Sequence, residues 1–211
     1  QLTYQELTSF GSVTPQYPYA GLTQVGDYLY GTSHQGGSAQ VGTVFKVYMP
    51  TGAVTTVHSF NCSDGCYPYI NGLVRVGTDL YGTTPSGGSD SYGTVYKIDA
   101  SDNFSTLYNF SYSSGGSPYG GLVAVGSDLY GTTFQGGGSG YGTVYKIDTS
   151  GANFSTLHSF NLSDGAYLSY GRLVTVGSYL YGTTYYGGSN SYYGTVYKID
   201  TSGANFSTLH N

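Results

Sequence analysis

Gly121-Leu122-Val123-Ala124-Val125-Gly126-Ser127-Asp128-Leu129-Tyr130-Gly131-Thr132-Thr133 reads as two short strands around a tight reversal. Leu122 and Ala124 face one side of the pleat and Val123 and Val125 the other, the pattern of a strand covered on both faces. Gly126-Ser127 is the Gly-Xaa pair that a two-residue type II′ hairpin prefers. The return strand carries Gly131, which costs strand propensity and predicts the close approach of a neighbouring sheet. A loop with Gly136, Gly137, Gly138 and Gly140 leads to a third strand at residues 142–148. Turn residues 149–152 lead to a fourth, more polar strand at 154–160. Four strands of five to seven residues with turn chemistry between them predict one antiparallel sheet, apolar strand innermost and polar strand outermost.

The same sentence recurs along the chain. Leu-Tyr-Gly-Thr begins at Leu29, Leu80, Leu129 and Leu180, in steps of 51, 49 and 51 residues. Gly-Thr-Val begins at Gly42, Gly93, Gly142 and Gly194, in steps of 51, 49 and 52. A period of about fifty residues built from short apolar and aromatic runs marks a β repeat array, most often a propeller. Capped amphipathic helix patterns are nearly absent. The expected fold is all-β: a four-bladed β-propeller with repeats at 13–62, 63–111, 112–162 and 163–211, all in one domain spanning 1–211. A five-bladed ring completed by a partner, or an open β stack, is the alternative. Residues 1–12 hold one more copy of the end-strand phrase, with Leu2, Tyr4, Glu6, Leu7 and Phe10, than four blades require. Linkers carry Pro18, Pro68 and Pro118, with Leu168 at the fourth place, and Tyr-Pro-Tyr at 17–19 and 67–69 predicts a stiff aromatic turn packed on the blade edge.

Only 8% of the 211 residues are charged, against roughly 25% in ordinary domains. Net charge is −5, and Lys46, Lys97, Lys146 and Lys198 lie one repeat apart, so no nucleic-acid footprint exists. No apolar run has the length of a membrane span. Cys62 and Cys66 stand where the third-to-fourth repeat junction has Leu162 and Ala166. A small-loop disulfide is favoured over a metal site, which would need further ligands; a reduced pair is the other reading. Asn61, Asn103, Asn109, Asn153, Asn161 and Asn205 begin Asn-Xaa-Ser sequons, several copied with the repeat. The first residue is Gln1, consistent with a mature secreted product or a fragment. Together these features point to an extracellular or cell-surface location.

Phe-Asn-Xaa-Ser-Asp-Gly (60–65 and 160–165), Tyr-Pro-Tyr, Gly-Leu-Val, Leu-Tyr-Gly-Thr-Thr and Gly-Thr-Val-Tyr-Lys-Ile resemble the GloVer-type tandem repeat of secreted or surface bacterial proteins. The resemblance spans nearly the whole chain and implies a β-propeller fold. It brings no catalytic residues with it.

Catalysis needs an asymmetric cluster of nucleophile, base and orienting group, whereas nearly every polar residue here is a repeat copy. His58, His158 and His210 share one strand position, with Tyr108 in the remaining copy, and would lie on different blades. His34 is alone in a glycine-rich loop. Asp79 and Asp128 read as hairpin caps, with Tyr28 and Tyr179 at the other two places; Asp64-Gly65 and Asp164-Gly165 read as turns before Ca²⁺ ligands. No enzyme activity, metal or cofactor is expected. The surplus strand is expected to add to the edge of the last end-strand, at Phe206, Thr208, Leu209 and His210, of a neighbouring copy. The expected role is therefore a structural subunit of an extracellular filament or surface layer, polymerised by strand exchange. A secreted glycan-binding, lectin-like propeller with tyrosine-rich surfaces is the alternative.

Overall fold

The computed structural model describes residues 15–70, 72–168, 170–189 and 193–211, with Glu6 and Ser9 before them. Leu2, Tyr4, Leu7 and Phe10, expected in the surplus strand, lie outside the described residues, and Glu6 is exposed.

Among the described residues all regular structure is β, in four antiparallel sheets whose strands follow chain order. The first sheet holds β1 (Thr23–Val25), β2 (Tyr28–Ser33), β3 (Thr43–Tyr48) and β4 (Ala53–Ser59). The second holds β5 (Val74–Val76), β6 (Asp79–Thr84), β7 (Thr94–Ile98) and β8 (Phe104–Asn109). The third holds β9 (Val123–Val125), β10 (Asp128–Thr133), β11 (Thr143–Asp148) and β12 (Ser155–Ser159). The fourth holds β13 (Ala166–Leu168), β14 (Val174–Val176), β15 (Tyr179–Tyr186), β16 (Val196–Asp200) and β17 (Ser207–His210). Each hairpin between the first two strands of a repeat turns on a glycine with positive φ, 57° to 63° at Gly26, Gly77, Gly126 and Gly177. The next residue stays out of the left-handed region, as a type II′ turn requires.

The innermost strand is shorter than the sequence predicts, three residues in every sheet. The linker explains this. Tyr17, Tyr67, Ser117 and Tyr167, just before the Pro or Leu168, sit at φ 52° to 57°, a left-handed kink that interrupts extended backbone in the linker and in the fourth sheet falls inside β13. The edge of the second strand is therefore shared between two short segments. In the fourth sheet β13 pairs with Thr184 and Tyr186 of β15, and β14 pairs with its other half. In the others the linker makes a single bridge, Gln16 to Gln35, Cys66 to Ser86 and Gly116 to Gln135. The inner strands are at most half-buried, and exposed along β14, so two-sided burial belongs to the middle strands instead. The polar fourth strands each lie at an edge of their sheet.

Three apolar clusters join the sheets, one per consecutive pair. Tyr30, Val44 and Phe60 of the first sheet meet Leu73, Leu80, Tyr96 and Ile98 of the second. Tyr81, Val95 and Phe110 meet Leu122, Leu129, Tyr145 and Ile147. Tyr130, Val144 and Phe160 meet Leu168, Leu173, Leu180, Tyr197 and Ile199. A ring stack repeats at each junction: His58 on Phe104 at 3.7 Å, Tyr108 on Phe154 at 3.8 Å, His158 on Phe206 at 3.7 Å, all within 6° of parallel. Among the described residues no buried cluster joins the fourth sheet to the first.

The glycine of Tyr-Gly-Thr serves a different neighbour from the one expected. A Cβ at Gly82, Gly131 or Gly182 would collide with the Tyr96, Tyr145 or Tyr197 side chain, which lies across it from the paired strand of the same sheet. The close approach is thus within a sheet, an aromatic ring folded over a bare cross-strand partner.

Candidate functional site

The linkers carry aromatic side chains to one end of the sheets. Tyr19 and Tyr69 lie 5.9 Å apart between centroids, Tyr69 and Tyr119 5.9 Å, and Tyr119 and Tyr170 5.0 Å. Tyr69 also meets Tyr170 at 5.9 Å, so rings from four linkers converge. His34, in the first sheet's glycine-rich loop, is not isolated in space: it packs at 5.3 to 5.7 Å against Tyr19, Tyr67 and Tyr69. Its Nδ1 lies 3.4 Å from the Pro68 carbonyl. A cavity of about 350 Å³ opens among His34, Tyr67, Tyr69, Pro85, Ser86, Tyr119 and Tyr170. Burial raises the Tyr119 hydroxyl above its ordinary pKa, with the neighbouring Tyr170 and Tyr69 adding to the shift. The described lining holds no carboxylate, lysine or arginine. Aromatic faces with hydroxyls at their edges match a neutral ligand that has one apolar face and several hydroxyls.

The residues singled out in the sequence fall elsewhere. Cys62 and Cys66 form a disulfide. It closes a turn that Leu162 and Gly165 make with the same 3.1 Å backbone hydrogen bond and no bridge. His58 and His158 sit on different sheets, each pairing through Nε2 with Asp64 or Asp164 at 2.9 and 3.0 Å. Those carboxylates also accept the backbone N–H of Asn61 and Asn161, which makes the Asp-Gly pairs turn formers. Among the described residues no group of three or more His, Cys, Asp or Glu is placed to hold a metal. Asp79 and Asp128 bind Lys97 and Lys146 at 2.6 and 2.7 Å. Lys46, whose sheet has Tyr28 at that place, reaches Asp102 of the next sheet instead, at 2.5 Å. No helix among the described residues is long and apolar enough to cross a membrane.

All six sequon asparagines are exposed. The Nδ2 of Asn103 and Asn153 donates to Asp99 and Asp148 at 3.0 and 2.7 Å, and that of Asn205 donates to Asp200. Asn61, Asn161 and Asn109 use their Oδ1, accepting N–H groups of Ser63, Ser163 and Ser89. The acceptor edge lies on and beside β17, with Phe206 and Thr208 half-buried and Leu209 and His210 exposed. The aromatic cavity was missed because its residues are spread from His34 to Tyr170; the recurring Tyr beside the linker Pro was the available signal.

The fold is similar to a chain of the nidogen–laminin complex, with 14% identity and TM-score 0.58, over 90% of this chain and 64% of that one. TolB from Acinetobacter baumannii gives 16%, 0.53, 87% and 41%, and streptogramin B lyase gives 15%, 0.59, 93% and 55%. At such identities the similarity is one of propeller-like fold alone. The chain spans less than two thirds of each of these structures. No curated protein matches the sequence. The profile of the Gloeobacter/Verrucomicrobia repeat matches residues 1–127 and again 73–211, so that every residue is covered, and the chain belongs to that repeat family.

Proposed function

We propose that this chain is a non-enzymatic structural module of a secreted or cell-surface assembly built from copies of itself. The observation that carries the reading is the outer face of the fourth sheet, where Val174 and Val176 are 60% exposed and Val196 is 39% exposed. Low charge supports it, since few like charges oppose edge-to-edge contact. In this reading the four sheets are blades, and strand addition from residues 1–10 of one copy to the β17 edge of the next links them. Sedimentation velocity and negative-stain microscopy of the purified chain test the proposal. Species larger than a monomer are expected at micromolar concentration; a monomer at every concentration overturns it.

The aromatic cavity favours a second reading, a site for neutral carbohydrate stacked on Tyr69, Tyr119 and Tyr170. Retention on a glycan array, lost in Tyr119→Ala, is the expected result. No retention on any glycan counts against it.

A further inference from the structure

Each of the first three sheets ends in a socket that the next repeat fills. A Cβ built at Gly42, Gly93 or Gly142 would lie 2.6, 2.7 or 2.6 Å from Pro68, Pro118 or Leu168 of the following linker. The residue before that linker position donates its N–H back across the junction: Tyr67 to the Val41 carbonyl at 2.7 Å, Ser117 to Tyr92 at 2.9 Å, Tyr167 to Tyr141 at 2.8 Å. The leucine that follows each linker is sealed: Leu73, Leu122 and Leu173 are at most 3% exposed. The valine facing it is sealed too, with Val44, Val95 and Val144 at 0%.

Among the described residues, the fourth sheet has the same socket without a plug. Around Gly194 the nearest atoms to an added Cβ are its own sheet's Thr184 and Tyr185 carbonyl oxygens. A cavity of about 300 Å³ opens beside Gly194, Val196 and His210. Tyr193, at the place whose carbonyl accepts the incoming N–H in the other sheets, is 84% exposed. At the opposite end, and again among the described residues, the first repeat has the plug without a socket. Tyr17 and Tyr19 are each 54% exposed, Leu22 is 53% exposed, and Pro18 is exposed where Pro68 and Pro118 are buried.

We propose that the Tyr17-Pro18-Tyr19 linker and Leu22 of one copy seat in the Gly194–Val196 socket of a second copy, head to tail. The occupant is a second copy because the repeat equivalents of this plug and this socket fit together at three junctions within the chain. This rests on the self-association proposed above but places the docking energy in the described blade faces, not in residues 1–10. Such a contact is heterologous; it closes into a ring if the curvature allows and otherwise grows.

The test uses Val196→Asp, which spoils the socket, and Leu22→Asp, which spoils the plug. Both positions are exposed in the single chain, so circular dichroism, and thermal melts at concentrations where wild type is dissociated, should match wild type. Each variant alone is expected to sediment as a monomer where wild type associates. An equimolar mixture should recover a 1:1 dimer and nothing larger, because one good plug and one good socket remain. A chain lacking residues 1–10 should still associate. If Val196→Asp assembles like wild type, or the mixture stays monomeric, the inference is overturned. If both point variants assemble and only the truncation does not, strand exchange carries assembly and the general reading survives without this contact. A monomeric wild type removes both.

Discussion

The junction between the third and fourth sheets and the outer face of the fourth sheet bear equivalent residues in opposite surroundings. Val144 is 0% exposed and Val196 39%. His158 lies stacked on Phe206, while His210 is exposed. Leu122 is 1% exposed and its copy Leu22 at the other end is 53% exposed. The residue types are near identical, so burial here is set by whether a neighbouring sheet is present. A repeat array cannot bury its faces one unit at a time; each unit completes the one before it.

The largest contrast comes from placing a charge on each face. Val144→Asp should destabilise the chain by about 4 kcal/mol or more, because an unpaired carboxylate enters a sealed cluster. Val196→Asp should change dilute-monomer stability by less than about 1 kcal/mol. Urea denaturation at sub-micromolar concentration measures both. Equal losses would mean that the fourth face is covered within the same chain. Next in size is leucine truncation. Leu122→Ala should cost about 3 kcal/mol through lost transfer energy and a cavity, and Leu22→Ala under about 1 kcal/mol. A large effect at Leu22 in the monomer would break the comparison at the plug end.

A smaller effect of opposite sign concerns the rings folded over glycine. Among the described residues, the hydroxyls of Tyr96, Tyr145 and Tyr197 are buried without a hydrogen-bond partner. Burial raises the pKa of each phenol. The first sheet has Phe45 at this place, 1% exposed. Tyr145→Phe should therefore leave the fold intact and stabilise it by about 1 kcal/mol, by deleting an unpaired buried donor. A clear destabilisation would show that the hydroxyl has a partner after all.

What the sequence revealed and what it concealed divide along the range of the interactions. Strand order, the Gly-Xaa hairpins and the edge position of the polar strands follow from local periodicity and turn chemistry, which neighbouring residues determine. The glycine of Tyr-Gly-Thr was legible as a close approach, but not which ring approached, because Gly131 and Tyr145 meet only through strand register. Lys97 and Asp79 meet for the same reason, which two-residue hairpin capping does not foresee. The aromatic cavity needs four linkers brought together, and no single repeat contains it. The left-handed kinks at Tyr17, Tyr67, Ser117 and Tyr167 have no glycine to announce them, so the split of the inner strand could not be read beforehand.

The subtlest contrast lies between the first and second junctions, where His58 and Tyr108 perform the same stacking. Burial holds the His58 imidazole below its ordinary pKa, opposed by the Asp64 carboxylate that it also hydrogen-bonds. The unfolded chain therefore takes up this proton more readily than the folded one. His58 favours folding fully above the ordinary imidazole range, and that contribution falls as pH drops through this range toward the shifted value, below which it is constant. Denaturation midpoints should accordingly decline between pH 8 and pH 5. His58→Tyr, which copies the second junction, should keep the stack on Phe104 and lose this part of the decline. An unchanged slope in that variant would assign the pH dependence to other groups and leave the two junctions equivalent in charge as well as in shape.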